Sequence, residues 1–215
     1  GCRAAVTAGA QIIVLDDGFQ NPGIAKDLSL LVVDAEYGFG NGRIIPAGPL
    51  REPVRAGLAR AHAVVLIGNG EAPAAVHATR RPVMRAGLDP IDPARFRGVR
   101  VAAFAGIGRP AKFFASLRLV GADIVMAREF SDHHRFSPAE IAGLRREAER
   151  AGARLVTTAK DWVRLPAALR VGIELFEVEL RWRDPAALPE LLAPVLQSSR
   201  WPMVPRKGLA SRATR

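Results

Sequence analysis

Short apolar runs of strand length recur along this chain with helical patterns between them, and that alternation limits the fold more than any other feature. The runs cover residues 12–15, 30–33, 63–67, 99–105, 124–126, 155–158 and 173–178; the helical patterns cover 53–61, 109–119, 138–151, 161–169 and 184–196. Parallel strands cannot be joined by tight hairpins and need long crossovers, usually helices. The pattern therefore predicts an α/β fold built on a mostly parallel sheet with flanking helices. The sharpest helix signal starts at residue 138. Ser137 supplies an N-cap, Pro138 suits the first helical position, Glu140 gives an acidic first turn and Gly152 stops the helix. A Pro- and Arg-rich hinge at 90–98 divides the chain into two lobes, 1–95 and 96–199. Beyond them, residues 200–215 carry Arg200, Arg206, Lys207, Arg212 and Arg215 without an acid, and are expected to form a disordered basic tail.

At 215 residues the chain is long enough for one substantial core or two small ones. The single cysteine, Cys2, excludes an intrachain disulfide and a cysteine-rich zinc site. No apolar run approaches the roughly 20 residues that span a bilayer, so a cytosolic setting is the default expectation. The net charge of +10 rests on 27 arginines against four lysines. A surface this basic attracts phosphates, anionic lipid headgroups or nucleic acid. With three tryptophans and one tyrosine, stacking platforms for bases are scarce, which favours lipid over nucleic acid. The first residue is Gly1, and an amphipathic piece at 3–8 runs at once into the first apolar run. The chain is thus expected to begin inside a βαβ unit, as a fragment.

The stretch IIVLDDGFQNP, residues 12–22, has the most unusual ending. Residues 12–15 have the length and β-branched content of a strand covered on both faces, and Gly18 and Asn21 with Pro22 then stop it. Two readings of the acids stay open on the residues alone. Either Asp16 caps the turn and Asp17 is solvated, or the pair handles a hard cation or a phosphate beyond the strand's carboxyl end.

A second stretch, GFGNGRIIPAGPLREP (38–53), forms a glycine- and proline-rich loop closed by Arg51 and Glu52. A guanidinium beside a helix start suits a phosphate, and Glu52 suits a metal or a ribose. A third, FSDHHRFSPAEI (130–141), sets Asp132, His133 and His134 before the capped helix, with Phe130 and Phe136 as anchors. Two adjacent histidines seldom face the same way, so one at most is expected to act as a base, support one or bind metal. GIGRP (106–110) and TTAKD (157–161) each follow a strand and open a helix. No G-x-x-x-x-G-K-[ST] phosphate loop is present: Lys26, Lys112 and Lys160 follow alanine and Lys207 follows arginine.

Taken together, DDGFQ, GFGNGRIIPAGPLREP, GIGRPAKFF, FSDHHRF and TTAKD, in this order, resemble the tetraacyldisaccharide 4'-kinase family over the chain to about residue 180. The resemblance implies a P-loop-kinase-like fold, with 1–95 as the C-terminal part of the nucleotide-binding lobe. It implies transfer of phosphate from ATP, with Mg2+, to the 4'-hydroxyl of tetraacyldisaccharide 1-phosphate in lipid A biosynthesis. The setting would be the cytoplasmic face of the inner membrane, with the lipid A disaccharide precursor and an anionic membrane surface as partners and no nucleic acid. By the same resemblance Asp16, Asp17, Gln20, Arg51 and Glu52 stand around the nucleotide, with Asp16, Asp17 and Glu52 toward the metal. His133 partners a catalytic aspartate and His134 is a bystander. These groups are expected to converge on one pocket. Asn21 departs from the histidine common in the family. The family's phosphate loop, N-terminal membrane helix and catalytic aspartate fall upstream of the Asp16 motif, so the chain resembles the C-terminal two-thirds of the kinase, with activity impaired. Two competing readings are a metal-dependent phosphoesterase using Asp16, Asp17, Asp132 and His133, and a non-catalytic module that binds anionic lipid.

Overall fold

The computed structural model describes residues 1–197; the basic tail expected at 200–215 lies outside them. In chain order the elements are α1 (Cys2–Thr7), β1 (Leu30–Asp34), α2 (Val54–Arg60), β2 (Ala63–Ile67), α3 (Ala74–His77) and β3 (Val83–Pro90). Then come β4 (Arg100–Ala105), α4 (Pro110–Leu119), β5 (Asp123–Glu129), α5 (Pro138–Arg150) and β6 (Arg154–Thr158), followed by α6 (Ala159–Arg164), β7 (Ile173–Phe176), β8 (Val178–Trp182) and α7 (Ala187–Gln197). Two compact units result: Gly1–Gly87 with the segment that begins at Trp182, and Leu88–Arg181. The chain passes between them within β3 and within β8.

The first sheet has the order β1-β2-β3-β8, with β1, β2 and β3 parallel. Val64 and Leu66 of β2 face Leu58 of α2 and Val76 of α3, while Ala63 and Val65 face Leu188 and Leu191 of α7. Successive strand side chains point to opposite faces, so a strand covered on both sides reads as continuously apolar. The second sheet, β5-β4-β6-β7, is parallel throughout. Val101, Ala103 and Ala105 of β4 pack on Phe113, Phe114 and Leu117 of α4. Ala102 and Phe104 pack on Ile141, Leu144 and Ala148 of α5.

The mostly parallel α/β architecture with flanking helices is as expected, and so is the start of α5. The Ser137 hydroxyl accepts from Glu140 N–H while the Glu140 carboxylate takes the Ser137 N–H, a complete capping box. Four expectations need correction. Residues 12–15 are not a strand: they make no ladder bond among the described residues and are exposed, Val14 to 89%. β1, at the end of its sheet, pairs with β2 alone, and apolar composition without a paired neighbour cannot make a buried strand. The run 173–178 is two strands in different sheets. The helix expected over 161–169 stops at Arg164, ahead of Pro166, and a 3-10 turn follows at Ala167–Leu169. Finally, α7 falls with the first unit and not in a 96–199 lobe, because Leu188 and Leu191 cover the second face of the first sheet.

Candidate active site

In the first unit, Asp17 sits at the turn after residues 12–15 with a left-handed backbone (φ 51°). Both its carboxylate oxygens accept from Arg51, Nη1 to Oδ1 and Nη2 to Oδ2, each at 3.0 Å. That is the bidentate fork by which guanidinium recognises planar anions. The pair is solvated, with side chains 57% and 66% exposed for Arg51 and Asp17. Next in sequence, Glu52 is held from two sides. Its Oε1 accepts from Gln20 Nε2 at 2.9 Å and from Arg60 Nη2 at 2.6 Å. Arg60, the last residue of α2, also lies 4.9 Å over the Phe19 ring. A cavity of about 340 Å³ opens beside them, lined by Phe19, Gln20, Lys26, Arg60 and His62 among others.

Arg51 and Glu52 reach this place at the end of the loop that follows β1. Its tight path demands glycine at Gly40 (φ 60°), where a Cβ would stand 2.7 Å from Pro49 Cγ. Pro53 is the N-cap of α2, one position earlier than the first helical turn it was expected to open.

In the second unit, three polar segments meet at the carboxyl ends of parallel strands: the turn after β4, the loop after β5 and the β6–α6 junction. Asp161, fully buried, accepts from Gly106 N–H at 3.0 Å and Thr158 Oγ1 at 2.9 Å. Gly106 leaves little room for a side chain: a Cβ would come within 3.1 Å of His134 Cβ and 3.3 Å of Asp161 Oδ1. The two histidines diverge as expected. His134 stacks on Phe130 at 4.8 Å, meets Phe136 edge-on at 4.9 Å, and bonds Glu140 Oε1 through Nε2 at 3.0 Å. His133 has a positive φ of 62° and turns its side chain, 76% exposed, to solvent.

The structure thus brings Asp17, Gln20, Arg51 and Glu52 together in one unit. Asp16 stands next to them, exposed and without a side-chain partner among the described residues. His133 belongs to the other unit. Sequence reasoning missed Arg60 and Arg164. Arg164 follows Asp161 by three residues, a spacing that can be read, but its tie to His133 spans 31 positions and leaves no local signal. Among the described residues no three His, Cys, Asp or Glu side chains gather to hold a metal, so the phosphoesterase alternative lacks its ligand cluster.

Parallel, helix-covered sheets with polar loops at the strands' carboxyl ends define an α/β protein of the kind that binds ligands beyond those ends. Residues 1–197 match the family model LpxK, Tetraacyldisaccharide-1-P 4'-kinase, and the chain belongs to that family. Relatives named tetraacyldisaccharide 4'-kinase include those of Rhodospirillum centenum (56% identical, 91% of this chain, 59% of the relative) and Paramagnetospirillum magneticum (52%, 89% and 60%). A third, from Bradyrhizobium diazoefficiens, is 49% identical over 93% of this chain and 62% of its own length. The chain therefore spans about three-fifths of the relatives it matches. A crystal structure of the "apo" form of LpxK from Aquifex aeolicus in complex with ATP shares the fold, with a TM-score of 0.56 and 23% identity over 83% of this chain and 56% of that one.

Proposed function

We propose that this chain is the larger part of a lipid A 4'-kinase, which transfers the terminal phosphoryl group of ATP to the 4'-hydroxyl of tetraacyldisaccharide 1-phosphate. The observation that carries the reading is the Asp17–Arg51, Gln20–Glu52–Arg60 cluster, assembled from two segments about 30 residues apart, in a chain 56% identical to a named kinase. Phosphoryl transfer asks the protein mainly for positioning and charge stabilisation. Arg51 can exchange its carboxylate partner for a phosphate of the same fork geometry, and Gln20 and Arg60 fix the direction of Glu52.

Magnesium typically keeps several waters and takes one or two carboxylates plus phosphate oxygens, so it needs no all-protein cage. Asp16, without a side-chain partner among the described residues, and Asp17 and Glu52, each beside an arginine, are the candidate carboxylates, of which one or two would suffice. Bound there, the ion would neutralise charge on the nucleotide phosphates. By the family resemblance His133, in the second unit, partners the catalytic aspartate that takes the hydroxyl proton. The basic surface holds the enzyme on an anionic membrane face, where its lipid acceptor resides.

The test is a chimera in which this chain replaces the matching region of the Rhodospirillum centenum relative. Transfer of labelled γ-phosphate from ATP to tetraacyldisaccharide 1-phosphate is expected, with loss in Asp17→Asn and Arg51→Ala. A folded chimera that moves no label would overturn the assignment.

A further inference from the structure

Arg164 has an unusual set of partners. Its Nη1 donates to Gly106 O at 3.1 Å and lies 3.5 Å from Asp161 Oδ1, an oxygen that is buried and has no hydrogen-bond partner among the described residues. The guanidinium is thus the charge that compensates Asp161, through an ion pair without hydrogen-bond geometry. Asp161 is itself fixed by Gly106 N–H and Thr158 Oγ1. From this anchored position Arg164 Nη2 reaches His133 Nδ1 at 3.1 Å. The His133 N–H bonds the same Gly106 O at 3.1 Å and Asp132 Oδ1 at 2.9 Å, so the backbone and the ring are both fixed at this corner.

A guanidinium has donors only and does not lose its proton in a protein, so the partner nitrogen must accept. Nδ1 of His133 therefore carries no proton, and the neutral ring holds its proton on Nε2. We propose that Arg164 is a positioning residue that locks His133 in the Nε2–H tautomer, so that the ring presents a hydrogen-bond donor outward and not a proton-accepting lone pair. The neighbouring carboxylate does not use that donor up: Asp132 Oδ2 is 3.7 Å from Nε2, beyond hydrogen-bond range. The ligand that this ring recognises is an oxygen anion, a carboxylate or a phosphate oxygen. This rests on the reading of His133 as the histidine that partners the catalytic acid, and adds to it the residue that sets the ring's tautomer.

The chain has four histidines, so ring nitrogens labelled with 15N can be resolved one by one, those of His133 being identified by their loss in His133→Asn. With the ring neutral, the His133 Nδ1 resonance is expected at the unprotonated position, coupled to a ring that carries Nε2–H. In Arg164→Met it should shift toward the protonated position as both tautomers populate, and Arg164→Lys, which restores a donor, should move it back. A wild-type spectrum with Nδ1–H, or a folded Arg164→Met protein with an unchanged His133 signal, would overturn the proposal. Where Arg164→Met does not fold because Asp161 is left uncompensated, the wild-type and Arg164→Lys spectra decide. The two readings fail separately. An inactive chimera leaves the tautomer result standing, and an active chimera with Nδ1–H at His133 removes the role given to Arg164 alone.

Discussion

Two adjacent histidines have been given different work by their surroundings. His134 is held by two phenylalanine rings and Glu140, so its replacement removes packing. His133 is solvent-facing and tied to Arg164 through one ring nitrogen. In the full-length enzyme His133→Ala is expected to lower kcat by roughly 100-fold or more at near-wild-type melting temperature. His134→Ala should lower the melting temperature and spare most of kcat; equal kinetic losses would remove the distinction. Arg51 makes a parallel case. Exposed ion pairs contribute about 0–1 kcal/mol to stability, so Arg51→Ala should leave the urea midpoint of the chain almost unmoved. Phosphate transfer by the chimera should nevertheless collapse, and a variant that keeps its rate would separate Arg51 from the chemistry.

At the scale of elements, α5 is the best specified. Ser137, Pro138 and Glu140 act at its first turn, and the apolar positions Ile141, Leu144 and Ala148 fall on the face that meets β4. Ser137→Ala is expected to cost about 1 kcal/mol in urea unfolding. The backbone N–H and then the hydroxyl of Ser137 hold the Glu140 carboxyl below its ordinary value of 4.5, with a further contribution from His134. A carboxyl lowered on folding stabilises above the unfolded value and loses that contribution as pH falls through the folded one. The gap between wild type and Ser137→Ala should therefore be full above pH 4.5 and shrink on acidification below it; a gap that does not change with pH would rule out the carboxylate's part. Residues 12–15 teach the opposite lesson. Ile12 to Leu15 have strand composition and remain exposed, since ladder partners and not composition make a strand. The strand β3 carries no clear apolar period because Arg85, Gly87 and Asp89 interrupt it, yet its residues 83–86 pair in parallel with β2 through backbone bonds.

For the molecule as a whole, charge and coverage matter most. No helix among the described residues is long and apolar enough to cross a membrane. With a net charge of +10, the chain is expected to co-sediment with vesicles rich in anionic phospholipid and to be released by salt, while neutral vesicles leave it in solution. Binding indifferent to lipid charge would count against the membrane partner. The chain covers about three-fifths of its relatives and carries no G-x-x-x-x-G-K-[ST] loop. Alone it should therefore transfer phosphate at no useful rate, and robust turnover by the 215-residue chain would refute that.

What the sequence determined by itself was local: the alternation of strands and helices, the cap of α5, the apolar faces of β2 and β4, and the motifs that mark the family. These follow from residue spacing, because side-chain direction repeats with a fixed period along a strand or helix. The tertiary structure alone decided which distant groups meet. Arg60 on Glu52, Arg164 on His133, α7 on the first sheet and the exposure of residues 12–15 depend on how the chain folds back and on which strands find a neighbour. Such pairings are set by packing and hydrogen bonding between segments far apart in the chain, and no local period encodes them.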